Sequence, residues 1–199
     1  MKTILILCAG SQERFHSDIP KQLMPFNNVP LLDRTIAQVK EYDYKPYIIT
    51  HNTQIEKHYN KQNVYLFYPN DNSKCVNTLL STRKLWLGQV IVLLGDVYYN
   101  QKCLDMTFDF DGGIAFFGNA EEIFSVSFKP TLKVSNALKK ASQHPVGKLW
   151  HFYRAYHNIP LDKHWRAGNY YLPSDNTTDI DSYEEYIKLK YEVENLTLQ

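Results

Sequence analysis

Thr3 to Ala9 form an unbroken apolar and β-branched run that stops at Gly10 and opens into Ser11-Gln12-Glu13-Arg14-Phe15, then Ser17-Asp18-Ile19-Pro20-Lys21. This junction constrains the chain more than any other stretch. A run without polar alternation is the pattern of a strand buried on both faces of a parallel sheet. Small residues at its end let the backbone approach a ligand closely, and successive N–H groups in such a turn form a concavity suited to anions. Arg14 and Lys21 add two fixed cations to the backbone of Cys8, Ala9, Gly10, Ser11 and Gln12, and the whole reads as a cradle for nucleotide phosphates. The plainer alternative is an ordinary strand-ending turn. One glycine is a weak fingerprint, and neither G-x-G-x-x-G nor a Walker A pattern is present.

The rest of the chain favours an α/β organisation. Asn27-Asn28 signals a tight turn, and Pro30 opens a helix on which Leu32, Ile36 and Val39 recur up to about Tyr42. Pro46 to Thr50 and Val64 to Tyr68 read as strands flanking a short polar helix, Gln54 to Lys61. Val76, Leu79, Leu80, Trp86 and Leu87 mark another helix, capped by Asn72 or Ser73. Val90 to Leu94 is a second fully apolar strand. Ile114 to Gly118 and Ile123 to Phe128 read as antiparallel strands, with Glu121 and Glu122 solvated at their turn. Asp105 to Gly113 reads as a solvated turn, and Asn136 to Ala141 as a short helix. Strand–helix alternation with few hairpins implies right-handed βαβ units around a mixed, mostly parallel sheet. In such sheets ligands bind beyond the carboxyl ends of the strands, where the Ala9-Gly10 loop lies.

Composition narrows the function classes. A chain of 199 residues, 44% hydrophobic, supports one sizeable core, so one domain over residues 1–199 is expected. A net charge of +1 with interspersed charges carries no nucleic-acid footprint. Cys8, Cys75 and Cys103 are widely spaced and form no C-x-x-C pair, as in a reduced cytoplasmic protein. No apolar run reaches membrane-spanning length, and the apolar start is too short for a signal peptide. A homodimer remains open.

Two further stretches carry chemistry. Gly95-Asp96 ends the Val90–Leu94 strand, and a carboxylate there is either part of a common turn or placed to hold Mg²⁺, which asks for one or two carboxylates plus phosphate oxygens. Thr178-Asp179-Ile180-Asp181-Ser182 precedes a helix with Tyr183, Tyr186, Ile187 and Tyr191 on one face. Ser182 and Glu185 form a capping box. Asp179 and Asp181 are either acids favoured by the helix dipole or ligands of the same ion.

Taken in order, Ala9-Gly10, Arg14-Phe15, Pro20-Lys21-Gln22-Leu23 and Pro30-Leu31-Leu32 resemble the A-G-x-G-x-R…P-K-x-L…P-L signature of nucleotidyltransferases with a GT-A-like fold. That family includes sugar-phosphate, phosphocholine and methylerythritol-phosphate cytidylyltransferases and MobA-like NTP transferases. Gln12 replaces the usual second glycine, implying a wider loop or a contributed side-chain amide. The resemblance implies a Rossmann-like, GT-A-type three-layer sandwich. It implies Arg14 and Lys21 as catalytic cations, Asp96, Asp181 and Asp179 as Mg²⁺ ligands, and Asn72, Asn77 and Thr78 as contacts to the base and ribose. Pro145 to Arg154 resembles the segment that meets the second substrate, which would place Lys148 and Arg154 at its phosphate. The partners implied are an NTP, CTP favoured, and a small phosphorylated acceptor. Two rivals use other chemistry. A glycosyltransferase on this scaffold would want D-x-D where Gly95-Asp96-Val97-Tyr98 stands, and a nucleotide-sensing domain would bind without turnover.

Overall fold

The computed structural model describes residues 1–10, 15–163 and 165–196. Ser11, Gln12, Arg14 and His164 lie outside the described residues. In chain order the elements are β1 (Lys2–Leu7), β2 (Pro25–Phe26), β3 (Val29–Pro30), α1 (Leu31–Glu41), β4 (Tyr47–Ile49), α2 (Thr53–Tyr59), β5 (Tyr65–Phe67) and α3 (Cys75–Ser81). There follow β6 (Gln89–Leu94), β7 (Val97–Tyr98), α4 (Gln101–Asp109), β8 (Ile114–Gly118), β9 (Ile123–Phe128) and α5 (Leu132–Ser142). The last are α6 (Leu149–Tyr156), β10 (Tyr170–Tyr171), β11 (Thr178–Asp179) and α7 (Tyr183–Leu196). The central sheet has seven strands in the order β10-β8-β9-β6-β1-β4-β5. Strand β1 pairs in parallel with β6 and β4, and β9 runs antiparallel to β6 and β8. The result is the mixed, mostly parallel sheet of an α/β sandwich.

Helices on both faces explain why β1 lacks polar alternation. Leu5 and Leu7 pack with Val76 and Leu79 of α3 and Phe152 of α6. Ile4 and Ile6, on the opposite face by the two-residue period of a strand, pack with Leu32 and Ile36 of α1 and Leu104 of α4. Burying each such side chain contributes roughly 1.5–3 kcal/mol, so β1 anchors both layers. A third cluster joins Phe15, Met24, Phe26, Tyr98, Ile180 and Tyr186. It ties the carboxyl-terminal segment to the β2–β3 hairpin, whose Asn27 and Asn28 adopt φ of 48° and 63°. That left-handed pair is what asparagine tolerates in a two-residue turn.

Helices α3, α4 and α5 depart from the pattern read in sequence. Helix α3 ends at Ser81, before Trp86 and Leu87, because the Thr82 hydroxyl donates to Leu79 O at 2.7 Å and accepts from Trp86 Nε1 at 2.9 Å. Its amino-terminal cap is Lys74 rather than Asn72 or Ser73, and no side chain closes it. The stretch from Asp105 is helical as far as Asp109, within α4. Cys103, Leu104, Thr107 and Phe108 form its buried stripe, so the acids between them mark an outer helix face and not a turn. Helix α5 begins at Leu132, four residues before Asn136, with the Thr131 hydroxyl accepting from Val134 N at 3.2 Å.

On α7 the docked face is Tyr186, assisted by Leu189 and Val193, whereas Tyr183, Ile187 and Tyr191 are exposed. Tyr186 is 2% exposed, sets its ring edge-on to Phe26 and donates to Pro25 O at 2.8 Å. Tyr186→Ala should therefore cost about 3 kcal/mol in urea unfolding, as for other buried aromatics. Tyr191→Ala should change stability by less than about 0.5 kcal/mol. Equal effects would mean that α7 is not held by this face.

Candidate active site

Strands β1, β4 and β6 end at one edge of the sheet, and antiparallel β9 begins there. Beyond that edge lies a cleft of about 860 Å³. Cys8, Ala9 and Gly10 enter it from the end of β1, His51 and Asn52 from β4, and Asp96 from just past β6. Lys21, from a tight turn, and Asp179 and Asp181, from β11 and the residues after it, reach it from far away in the chain.

Lys21 occupies the middle of this convergence. Pro20 holds extended geometry at φ −55° and ψ 136°, and Leu23 N donates to Pro20 O at 2.7 Å, forming a single tight turn. That turn aims the Lys21 side chain inward, leaving the residue 9% exposed. Its Nζ lies 2.6 Å from Asp96 Oδ2 and 3.8 Å from Asp181 Oδ1, and donates to Ile180 O at 3.0 Å. Ile180 N in turn donates to Asp96 O at 3.0 Å, so β11 is stapled to the loop that carries Asp96. The capping box holds as expected: Glu185 N donates to Ser182 Oγ, and Glu185 Oε2 accepts from Ser182 N at 3.0 Å and Asp181 N at 2.7 Å.

Negative charge dominates beyond Lys21. Burial first, then the carboxylates of Asp181, Glu122 and Asp96, push the Asp179 carboxyl up to about 6. Among the described residues no three acid, histidine or cysteine groups stand ready to hold a metal by themselves. Asp96 and Asp181, brought to one ammonium, do match the one or two carboxylates that Mg²⁺ needs when phosphate oxygens complete its shell.

The other sequence candidates divide. Gly10 is exposed, and among the described residues nothing lies within 4 Å of where a Cβ on it would stand. Asn72 lines the cleft and its amide donates to Ala9 O at 3.4 Å, and Thr78 lines it with its hydroxyl turned to Lys74 O. Asn77, expected at the base or ribose, does not line the cleft. Its amide donates to Asp71 Oδ2 at 2.9 Å and Ser73 Oγ at 3.1 Å, which shapes the loop instead. Lys148 lines the cleft, paired with Glu122. Arg154, expected beside it, lies elsewhere: it is buried, donates to Leu161 O and sits over the Trp150 ring. Six residues beyond Lys148, at about 3.6 per turn, α6 has carried it to another face.

Glu122, expected to be solvated at a turn, lines both the cleft and a neighbouring cavity of about 360 Å³ shared with Asp179 and Asp181. The turn that bears it is fixed by Asn119 Oδ1, which accepts from Glu121 N and Glu122 N at 2.8 Å, and by Trp150 Nε1 donating to Glu121 O. Because β9 runs antiparallel, its start lies at the edge where the parallel strands end. That placement was the available signal for Glu122, as the end of β4 was for His51 and Asn52.

Glycine at position 95 has a steric reason. A Cβ there would lie 2.3 Å from Cys8 Sγ and 3.0 Å from Leu7 O, so only glycine lets the chain leave β6 against the end of β1. Burial, followed by Asp96, raises the Cys8 thiol well above its ordinary range, so it stays protonated and serves as packing.

The MobA-like NTP transferase domain matches residues 4–104, just over half of the chain. A search of curated protein sequences returned no match. Several solved structures share the fold. A nucleotidyl transferase from Methanothermobacter has a TM-score of 0.74 at 14% identity, covering 98% of this chain and 99% of that one. The CTP:phosphocholine cytidylyltransferase from Streptococcus pneumoniae gives 0.66 at 17% identity, covering 96% and 99%. The inositol-1-phosphate CTP transferase from T. maritima gives 0.67 at 11% identity, covering 97% and 96%.

Gly95→Ala should cost about 1–3 kcal/mol through overpacking. Adding Cys8→Ala should recover part of that loss in a double-mutant cycle of chemical denaturation. Strictly additive effects would show that Cys8 Sγ is not what excludes a side chain at position 95.

Proposed function

Because the chain belongs to the MobA-like NTP transferase domain family, we propose that it transfers a nucleoside monophosphate from an NTP to a small phosphorylated acceptor and releases pyrophosphate. The observation that carries this reading is Lys21 held between Asp96 and Asp181 at the carboxyl edge of the sheet. A phosphate oxygen of the acceptor attacks the α-phosphorus, a new P–O bond forms, and the bond to the β-phosphate oxygen breaks as pyrophosphate leaves. A phosphate dianion is already a competent nucleophile, so the protein's task is positioning and charge neutralisation.

Residues of this chain divide that task. The backbone at Ala9 and Gly10 receives phosphate oxygens, with Arg14 assigned to the leaving pyrophosphate from the sequence pattern. Lys21 offsets charge on the α-phosphate. Asp96 and Asp181 are the residues that would hold Mg²⁺, with Asp179 behind them; bound there, the ion neutralises phosphate charge and orients the reacting groups. Lys148, steadied by Glu122, faces the acceptor's phosphate. CTP is the favoured donor on the Pro20-Lys21-Gln22-Leu23 segment. The donor is proposed from that segment alone, since the names of the fold neighbours span CTP, thymidylyl and UDP-glucose chemistry.

The test is pyrophosphate release across the four NTPs with a panel of sugar, polyol and amino-alcohol phosphates. Turnover should require both substrates. Lys21→Ala and Asp96→Asn should each lower kcat by roughly a hundredfold or more, the scale of losing one preorganised charge near the reacting phosphate. Lys148→Ala should raise the acceptor KM and leave the NTP KM unchanged. Nucleotide binding without pyrophosphate release from any pair would favour a sensor, and near-normal kcat in either of the first two variants would remove those residues from the reaction.

A further inference from the structure

Resting on that reading, we propose that Lys21 has a second role: its ammonium is an internal stand-in for the divalent ion, and the ion and Lys21 compete for Asp96 and Asp181 until a nucleotide separates them. The ammonium contacts Asp96 Oδ2 at 2.6 Å, lies 3.8 Å from Asp181 Oδ1 and donates to Ile180 O at 3.0 Å. Two oxygens within hydrogen-bond reach and a third carboxylate oxygen within ion-pair range surround one ammonium, and an oxygen-lined point is also how a hard cation is held. A buried ammonium keeps such a place only when paired charge and hydrogen bonds repay its desolvation, and this one is 9% exposed with both.

Two cations cannot share that point. An ion held by Asp96 and Asp181 would face the Lys21 charge at close range in a partly desolvated cleft, where like charges repel more strongly than in bulk water. The side chain therefore has to move when metal enters. It swings on a flexible four-carbon stem from a turn fixed by the Pro20–Leu23 hydrogen bond, so its reach is short and directed into the cleft. Triphosphate supplies new oxygens for both cations at once. The metal and nucleotide then bind with positive coupling, and the metal alone binds weakly. This ordering keeps the acidic centre of Asp96, Asp179, Asp181 and Glu122 partly neutralised before substrate arrives.

The consequence is opposite for binding and for turnover. Lys21→Met should bind Mn²⁺ alone at least about fivefold more tightly than the wild-type chain, the lower end of ordinary coupling between sites, while losing pyrophosphate release. Mn²⁺ binding is read by electron paramagnetic resonance or calorimetry without nucleotide, so it does not depend on activity. Lys21→Gln serves as a second neutral variant if Lys21→Met does not fold. In the wild-type chain, Lys21 should be protected from reductive methylation without metal and become reactive when Mn²⁺ is added. Unchanged or weaker Mn²⁺ binding by both neutral variants, or Lys21 protection unaltered by saturating Mn²⁺, overturns the exchange. The nucleotidyltransferase reading is judged separately by pyrophosphate release from the wild-type chain, so either idea can fail without the other.

Discussion

One ammonium group organises the functional end of this molecule. Lys21, Asp96 and Asp181 lie on three segments with no local reason to meet, and their charges are close enough to hold one another. Desolvating a lysine costs several kcal/mol, and the ion pairs and the Ile180 carbonyl offset that cost only if all three segments are in place. The geometry of the site and the packing of the carboxyl-terminal segment are thus one problem. Ile180, between Asp179 and Asp181, is buried in the cluster that contains Phe26 and Tyr186, so the apolar docking of α7 sets where these acids stand.

The strand end beside it obeys a steric constraint of similar importance. Leu7 and Leu94 are in register across β1 and β6, and the chain must turn away from both ends to open a cleft. Gly95 permits this by leaving room for Cys8. The buried, protonated thiol fills the space below, and the Asp96 carboxylate emerges above it. A cleft at the end of a parallel sheet therefore depends on small side chains where two strands finish, as well as on the charges that face it.

The local signals that served sequence reading well were those decided within a few residues. The apolar runs at Thr3–Ala9 and Val90–Leu94 became the paired central strands, and the Asn27-Asn28 turn and the Ser182–Glu185 capping box formed as their chemistry requires. Failures arose where a side chain's role depends on which face it shows. Asp105 sits on the outside of a helix, Ile187 and Tyr191 are exposed, Tyr183 is half exposed at the edge of Phe15, and Arg154 turns into the core against Trp150. A pattern of residue types names a periodicity but not the partner that covers it.

By itself the sequence determined the class of fold, the strand that anchors it, and the loops that carry the candidate chemistry, because these rest on period, composition and turn stereochemistry. Tertiary structure alone decided that Lys21, Asp96 and Asp181 share a single point, that Glu122 joins them from the start of an antiparallel strand, and that Asn77 braces a loop instead of facing the cleft. Those outcomes are set by sheet order and by apolar packing between residues far apart in the chain. Electrostatic partners are chosen by distance in space, and a linear pattern does not contain that distance.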